Sequence, residues 1–280
     1  MIHLGLIGHP LGHSLSPKIH AAALEACELQ GDYSLFQIHI EDKKGLKDLL
    51  SRVRSGEITG LNVTIPHKQN VVPWMDELTP TAKAIGSVNV IYMRDKKIIG
   101  DNTDAPGFLS DLNNFLAESP SPSGRGAGVM EKSALVLGAG GSARAVVHAL
   151  LNDGWNVNIV ARRIEQAGQL ASSFPNYAIL TTQYVDLQLL TFNLIVNTTP
   201  VGMAPNVDQS PLPENSSFLS NTFIYDLVYN PRETKLVKDA RAQGLNATTG
   251  LGMLIEQAAL SFELWTGLNS PREIMRASIE

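Results

Sequence analysis

Short apolar runs and amphipathic stretches take turns along the first hundred residues. HLGLIG, at residues 3–8, reads as a buried strand. A helix is expected from near Pro17 through AALEAC, which ends at Cys27. Residues 33–40 alternate like a strand, 43–53 carry helical spacing, and 60–64 form another short apolar run. Residues 87–93 and 97–100 look like a paired stretch, and a helix is expected after Pro106. SPSPSGRGAG, at 119–128, is too small and too rich in proline and glycine to pack a core, so it reads as a linker. The pattern then restarts. SALVLG, NVNIVA, FNLIVN and TFIYDLV are strand-like, and residues 142–151 and 165–174 are helical. GLGMLIEQAALSFELWTG, at 250–267, reads as a long closing helix. Strands alternating with helices imply a parallel, doubly wound sheet.

Composition narrows the class. The 280 residues suit two domains, and 44% apolar content supports real cores. No apolar run approaches the roughly 18 residues of a membrane span, and MIHLGLIGHP is not a signal peptide. One cysteine, Cys27, allows no internal disulfide, no Cys/His spacing suggests a metal, and a cytoplasmic setting fits. A net charge of −5 without a basic run argues against nucleic acid but leaves an anionic small molecule open.

The clearest chemical signal follows the strand SALVLG. GAGGSA, Gly138 to Ala143, sits between a strand and a helix and fits a dinucleotide loop. Gly138 permits the turn, Gly140 lets backbone approach a pyrophosphate, and Ala143 keeps helix and strand close. The next strand ends in Ala161, Arg162 and Arg163, where an NAD site usually carries a carboxylate. Two guanidiniums suit a 2′-phosphate, so NADP is favoured; a solvated strand exit is the plainer alternative.

Four motifs in the first part place polar groups beside buried strands: GHSLSP, NVTIPHK, SVNV and GDNTDAPGF. Singly, each has a structural reading. Ser16 before Pro17 suits a helix N-cap, Asp104 a helix start, Asn89 a bridging amide and Lys68 a wet first turn. Together, Ser14, Ser16, Asn62, Thr64, Lys68, Asn89 and Asp104 describe a pocket for a polyhydroxylated acid.

At these residues the chain resembles shikimate dehydrogenases, from HLGLIGHPLGHSLSP through NVTIPHK, GSVNV, GDNTDAPGF, GAGGSARA, NTTPVGM and DLVYNP to the last helix. The resemblance implies an α/β protein of two domains. An N-terminal α/β substrate domain would span 1–117 with the C-terminal helix 250–280, and a Rossmann-like NADP-binding domain with a doubly wound parallel sheet would span 118–249. It implies reversible, NADP-dependent reduction of 3-dehydroshikimate to shikimate in aromatic amino-acid biosynthesis. Ser14 and Ser16 would bind the substrate carboxylate, and Thr64 and Lys68 the ring hydroxyls. Asn89, Asp104, Tyr229 and Gln257 complete the implied substrate site, with Lys68 and Asp104 catalytic. Gly138, Ala139, Gly140, Gly141, Ser142, Ala161, Arg162, Arg163, Leu227 and Gly250 would hold the cofactor. No metal is implied, and a monomer or homodimer is expected. The family often reads Asn-Arg-Thr where this chain has Ala161, Arg162 and Arg163, and Gln166 replaces a further arginine, so Arg163 is left to compensate.

On this reading Lys68 stabilises charge developing on a carbonyl oxygen and then protonates it, with Asp104 orienting both groups. Two rivals stand beside it. One is a quinate/shikimate dehydrogenase using NAD or NADP. The other is a non-catalytic sensor of shikimate-like acids, which has no need of Lys68 or Asp104.

Overall fold

The computed structural model describes residues 1–119, 132–177, 179–182, 192–213, 216 and 218–280, so most of the expected linker at 119–128 lies outside the described residues. The chain forms two compact units, Met1–Gly107 with Leu254–Glu280, and Phe108–Met253. The resemblance implies divisions at 117/118 and 249/250; packing draws both inside helices.

The first unit opens with β1 (Ile2–Gly8), α1 (Ser16–Ala26), β2 (Gly31–Gln37), α2 (Lys43–Arg54) and β3 (Gly60–Val63). Then come α3 (His67–Asn70), a 3-10 turn (Val72–Trp74), β4 (Glu77–Leu78), α4 (Pro80–Ile85), β5 (Val90–Arg94) and β6 (Lys97–Asp101). Its sheet runs β2-β1-β3-β5-β6-β4 and is mixed, because β5 is antiparallel to both neighbours. Asp95 and Lys96, both at positive φ, make the tight reversal between β5 and β6. In α2, Leu46, Leu49, Leu50 and Val53 follow helical spacing, and all are buried in one cluster with Ile7, Leu61, Val63, Ile91 and Ile98. Asp42 caps that helix by accepting from the Gly45 N–H.

The helix α5 (Asp104–Glu118) begins before Pro106, not after it, which places Asp104 in its first turn. Beyond Gly107 its residues join the second unit, where Phe108 and Phe115 meet Tyr225 edge-on. That unit contains β7 (Ser133–Leu137), α6 (Gly141–Asn152), β8 (Asn156–Val160), α7 (Ile164–Ser172) and β9 (Leu180–Thr182). It continues with β10 (Leu194–Asn197), β11 (Phe223–Asp226), α8 (Lys235–Ala242) and β12 (Asn246–Thr249). All six strands are parallel, ordered β12-β11-β10-β7-β8-β9. The chain winds outward from β7 in one direction and from β10 in the other. The order therefore reverses between β7 and β10, where open α/β sheets bind ligands. The helix α9 (Leu251–Thr266) begins in this unit, returns to the first from Leu254, and is followed by α10 (Arg272–Ala277). Among the described residues, no helix is long and apolar enough to cross a membrane, and no group of three or more His, Cys, Asp and Glu is arranged to hold a metal ion.

Candidate functional site

In the first unit, three chain segments end beside one another at the C-terminal ends of β1, β2 and β3. Thr64 N–H donates to Ile7 O at 2.9 Å, and His9 N–H donates to Ile65 O at 2.9 Å. The buried His67 ring bonds Ile38 O at 2.7 Å. These bonds anchor the single turn α3, which carries Lys68. A histidine to which the sequence reading assigned no role thus steadies the turn of its neighbour.

Lys68 Nζ donates to Asp104 Oδ2 at 2.6 Å, and the side chains are 13% and 5% exposed. Asn89, just before β5, donates from Nδ2 to Asp104 Oδ1 at 2.9 Å and approaches Gln257 Oε1 at 3.4 Å. Four of the expected site residues, Lys68 on α3, Asn89 just before β5, Asp104 on α5 and Gln257 on α9, therefore converge. The cluster offers an ammonium donor, a carboxylate acceptor and two amides. That is enough to hold adjacent hydroxyls and move a proton at one of them.

Ser14, Ser16 and Thr64 lie in the same unit. The expected Ser16 N-cap is not formed: the cap position is Leu15, and Ser16 opens α1. Ser14 Oγ instead accepts from Ser16 N–H at 3.3 Å, because Pro17 fixes the first turn and leaves the preceding loop to supply an acceptor. Ser14 is half-buried and Ser16 buried, so both hydroxyls belong to one bend of chain after β1.

In the second unit, Gly138, Ala139, Gly140, Gly141 and Ser142 connect β7 to α6. Gly138 has φ +113, and a Cβ there would lie 2.6 Å from Thr198 Oγ1, so glycine is required on both counts. Gly140 is the N-cap residue, and the first intrahelical bond is Arg144 N–H to Gly140 O. An added Cβ at Gly140 would meet no protein atom within 4 Å, so bare backbone borders open space at a helix N-terminus. Ala161 is buried at the exit of β8, while Arg162 and Arg163 are exposed and form no ion pair with a described residue. A glycine loop at a helix start with two unneutralised guanidiniums after the next strand fits a dinucleotide bearing a 2′-phosphate.

Leu227 and Tyr229 follow β11. Gly250 allows close approach here, since a Cβ would stand 2.3 Å from Leu227 O. Burial raises the Tyr229 phenol above its usual value, which keeps it a neutral hydrogen-bonding group. Asp226 is completely buried. It accepts from Asn197 Nδ2 at 2.8 Å, Val228 N–H at 3.0 Å and Thr234 Oγ1 at 2.7 Å. Desolvation nonetheless pushes its carboxyl up to about 6. Asn197 Oδ1 also takes Thr199 N–H and hydroxyl, so one buried cluster orders the chain after β10 and after β11.

The sequence reading passed over Thr103, Ser261, Tyr33 and Asp226. Thr103 and Asp226 sit inside quoted motifs, so proximity was a usable signal. Ser261 likewise sits inside the quoted closing helix, whereas Tyr33 carried no signal, being a strand tyrosine.

Comparison with known proteins gives a consistent picture. The family described as the shikimate dehydrogenase substrate binding domain matches residues 6–91, the shikimate/quinate 5-dehydrogenase family matches 124–236, and the shikimate 5′-dehydrogenase C-terminal domain matches 250–280. A shikimate dehydrogenase (NADP+) of Bacillus subtilis is 38% identical over 279 residues, covering 98% of this chain and 95% of its own. The crystal structure of a Thermus thermophilus shikimate 5-dehydrogenase in complex with NADP(H) and shikimate is 36% identical, with a TM-score of 0.85 over 99% of this chain and 98% of that one. A quinate dehydrogenase from Corynebacterium glutamicum in complex with NAD is 30% identical, with a TM-score of 0.87 over 99% and 98%.

Proposed function

The chain belongs to the shikimate dehydrogenase family, and on that premise we propose that it interconverts 3-dehydroshikimate and shikimate with NADP, using Lys68 and Asp104 as its acid–base pair. The observation that carries this reading is the 2.6 Å contact of a nearly enclosed ammonium with a nearly enclosed carboxylate, flanked by the Asn89 and Gln257 amides. A non-catalytic sensor has no need to keep that pair assembled.

Bound NADPH supplies the hydride. Lys68 Nζ stabilises charge as it develops on the carbonyl oxygen and gives that oxygen a proton; the amine then regains one from solvent. In the reverse direction the neutral amine accepts the hydroxyl proton. Asp104 holds Nζ through Oδ2, and its remaining acceptor capacity serves the neighbouring hydroxyl. Ser14 and Ser16 take the substrate carboxylate, Thr64 and Asn89 hold ring hydroxyls, and Tyr229 and Gln257 complete the substrate contacts. Backbone of Gly138 to Ser142 receives the pyrophosphate, Arg162 and Arg163 the 2′-phosphate, and Ala161, Leu227 and Gly250 line the rest of the cofactor site. The proposed setting is the cytoplasm, where the lone thiol Cys27 stays reduced, with the protein a monomer or homodimer.

The test is growth of nicotinamide absorbance on mixing the protein with NADP+ and shikimate. Parallel reactions with quinate, and with NAD+, separate the quinate-dehydrogenase alternative. Turnover of shikimate with NADP+ above the other three combinations is expected. No absorbance change with any combination would reject the enzyme, and faster turnover of quinate with NAD+ would move the assignment to the rival activity.

A further inference from the structure

Beneath the Lys68–Asp104 pair, the first unit buries a line of hydrogen-bonded side chains with no counterpart in the mechanism above. It starts at Tyr33 on β2, whose hydroxyl donates to Asn62 Oδ1 at 2.9 Å. Asn62 Nδ2 donates to Ser261 Oγ on α9 at 2.9 Å. Ser261 Oγ and Thr103 Oγ1 stand 3.2 Å apart, and both reach the same acceptor, Gln257 O, at 2.8 and 3.0 Å. Asn62, Thr103 and Ser261 are 4%, 4% and 0% exposed.

The amides fix the sense of the bonds they make, because Nδ2 of Asn62 and of Asn89 can only donate. Gln257 O already takes Ser261 N–H within α9 and is reached by both hydroxyls as well, and either hydroxyl can instead donate to the other across 3.2 Å. Thr103 Oγ1 accepts from Asn89 Nδ2 at 2.9 Å. Thr103 N–H in turn donates to Asn89 Oδ1 at 2.7 Å. Asn89 is therefore gripped at both ends by one residue, and its amide cannot flip without breaking two bonds. Its second Nδ2 hydrogen points to Asp104 Oδ1. That bond sets the twist of the carboxylate whose other oxygen meets Lys68.

We propose that Tyr33, Asn62, Ser261 and Thr103 form a buried positioning network that fixes the Asn89 amide and, through it, the Asp104 carboxylate. Tyr33 and Ser261 are thus positioning residues for the reaction, although neither touches the Lys68–Asp104 pair. This inference rests on the reading of that pair as the acid–base centre. Burying so many polar groups is unfavourable unless each is bonded. A network satisfied along its length holds one arrangement more firmly than separate bonds would. Tyr33 is itself held by His20, whose ring stacks on it at 4.5 Å and 3°. The Ser16 hydroxyl lies close enough to Tyr33 to offset part of the rise that burial imposes on its phenol. The same network thus begins beside a residue proposed to bind the substrate carboxylate.

The experiment compares wild type, Tyr33→Phe, Ser261→Ala and the double variant by kcat with shikimate, by NADPH dissociation constant and by melting temperature. Each single variant is expected to lower kcat about 3- to 10-fold, the scale of one lost hydrogen bond, with NADPH binding unchanged. The double variant is expected to lose less than the product of the two, because both act through Asn62. Unchanged kcat in both single variants, or losses that multiply, would overturn the network. If Tyr33→Phe fails to fold, Thr103→Val against Thr103→Ser replaces it. Loss with valine and retention with serine supports the proposal, and equal rates overturn it. A wild type that does not reduce NADP+ overturns the functional reading, and this inference with it.

Discussion

Lys68 Nζ stands 2.6 Å from Asp104 Oδ2 across 36 positions of sequence, and neither side chain is more than 13% exposed. Nothing local brings these groups together. Lys68 is delivered by the turn after β3 and Asp104 by the first turn of α5, and the pairing of β3 with β5 and of β5 with β6 sets the distance between them.

Lys68→Ala is expected to lower kcat by on the order of 10²-fold or more, the usual scale for loss of a general acid. NADPH binding should survive, because its proposed contacts lie in the other unit. Steady-state rates and a fluorescence titration with NADPH check both halves. Lys68→Arg should not restore turnover, since a guanidinium does not release a proton usefully. Near-normal kcat in either variant would remove Lys68 from its role.

Arg162→Ala should cost more with NADP than with NAD. The side chain is exposed and without a charged partner among the described residues, so its removal is expected to leave the surrounding fold intact. Loss of one charge-assisted phosphate contact predicts a fall of about 10-fold or more in kcat/KM for NADP. Equal losses with both cofactors would show that no 2′-phosphate is read there. The corresponding measurement on Arg163→Ala divides the task between the two guanidiniums.

Asp226 predicts a stability that falls as pH rises. Its folded carboxyl titrates at about 6, above the ordinary 3.8, so between those values the folded protein binds the proton more tightly than the unfolded chain. Ionisation above pH 6 therefore costs about 3 kcal/mol, and the cost fades as pH drops toward 4. Asp226→Asn keeps an oxygen for Asn197 and Val228 and presents N–H to Thr234. Its melting temperature should exceed the wild type's at pH 8, with the advantage shrinking at pH 5. An equal loss at both pH values would contradict the buried charge.

His20 works in the opposite sense. It is fully buried, its ring nitrogens find no hydrogen-bond partner among the described residues, and desolvation lowers it from 6.5 to about 3, only partly offset by the neighbouring Asn62 amide. Below pH 6.5 the unfolded chain takes a proton that the folded chain refuses, so stability is lost as pH falls through that window. Between pH 7 and pH 5 the loss is about 2 kcal/mol. His20→Phe, which can still stack on Tyr33, should flatten this acid-side decline. Thermal unfolding across pH 5–7 tests it, and an unchanged slope would sink the assignment.

Much of the fold was legible in the chain because it depends on local patterns. The spacing of Leu46, Leu49, Leu50 and Val53 specifies a helix face, and strand–GAGGSA–helix specifies a phosphate-type loop whose Gly138 indeed takes a left-handed φ. The candidate residues Lys68, Asn89, Asp104 and Gln257 were legible only as members of motifs, with the family resemblance supplying their company. Elements such as β4, α4 and α10 are too short to show a period, and α8 escapes the reading although Leu236, Val237 and Ala240 keep helical spacing. Asp104 was expected near a helix start but not within the first turn, since Pro106 tolerates two helical residues before it.

Sequence by itself determined which segments become strands and helices, where a loop must be glycine, and which short runs carry charge and hydroxyls. Those properties follow from side-chain periodicity and backbone sterics, which act over a few residues. Tertiary structure alone decided that Asn89 would be gripped by Thr103, that Ser261 would meet Asn62 across 199 positions, and that Asp226 would be sealed from water. Contacts of that kind depend on strand order and on where α5 and α9 pass, and no local pattern encodes which distant partner a buried polar group will find.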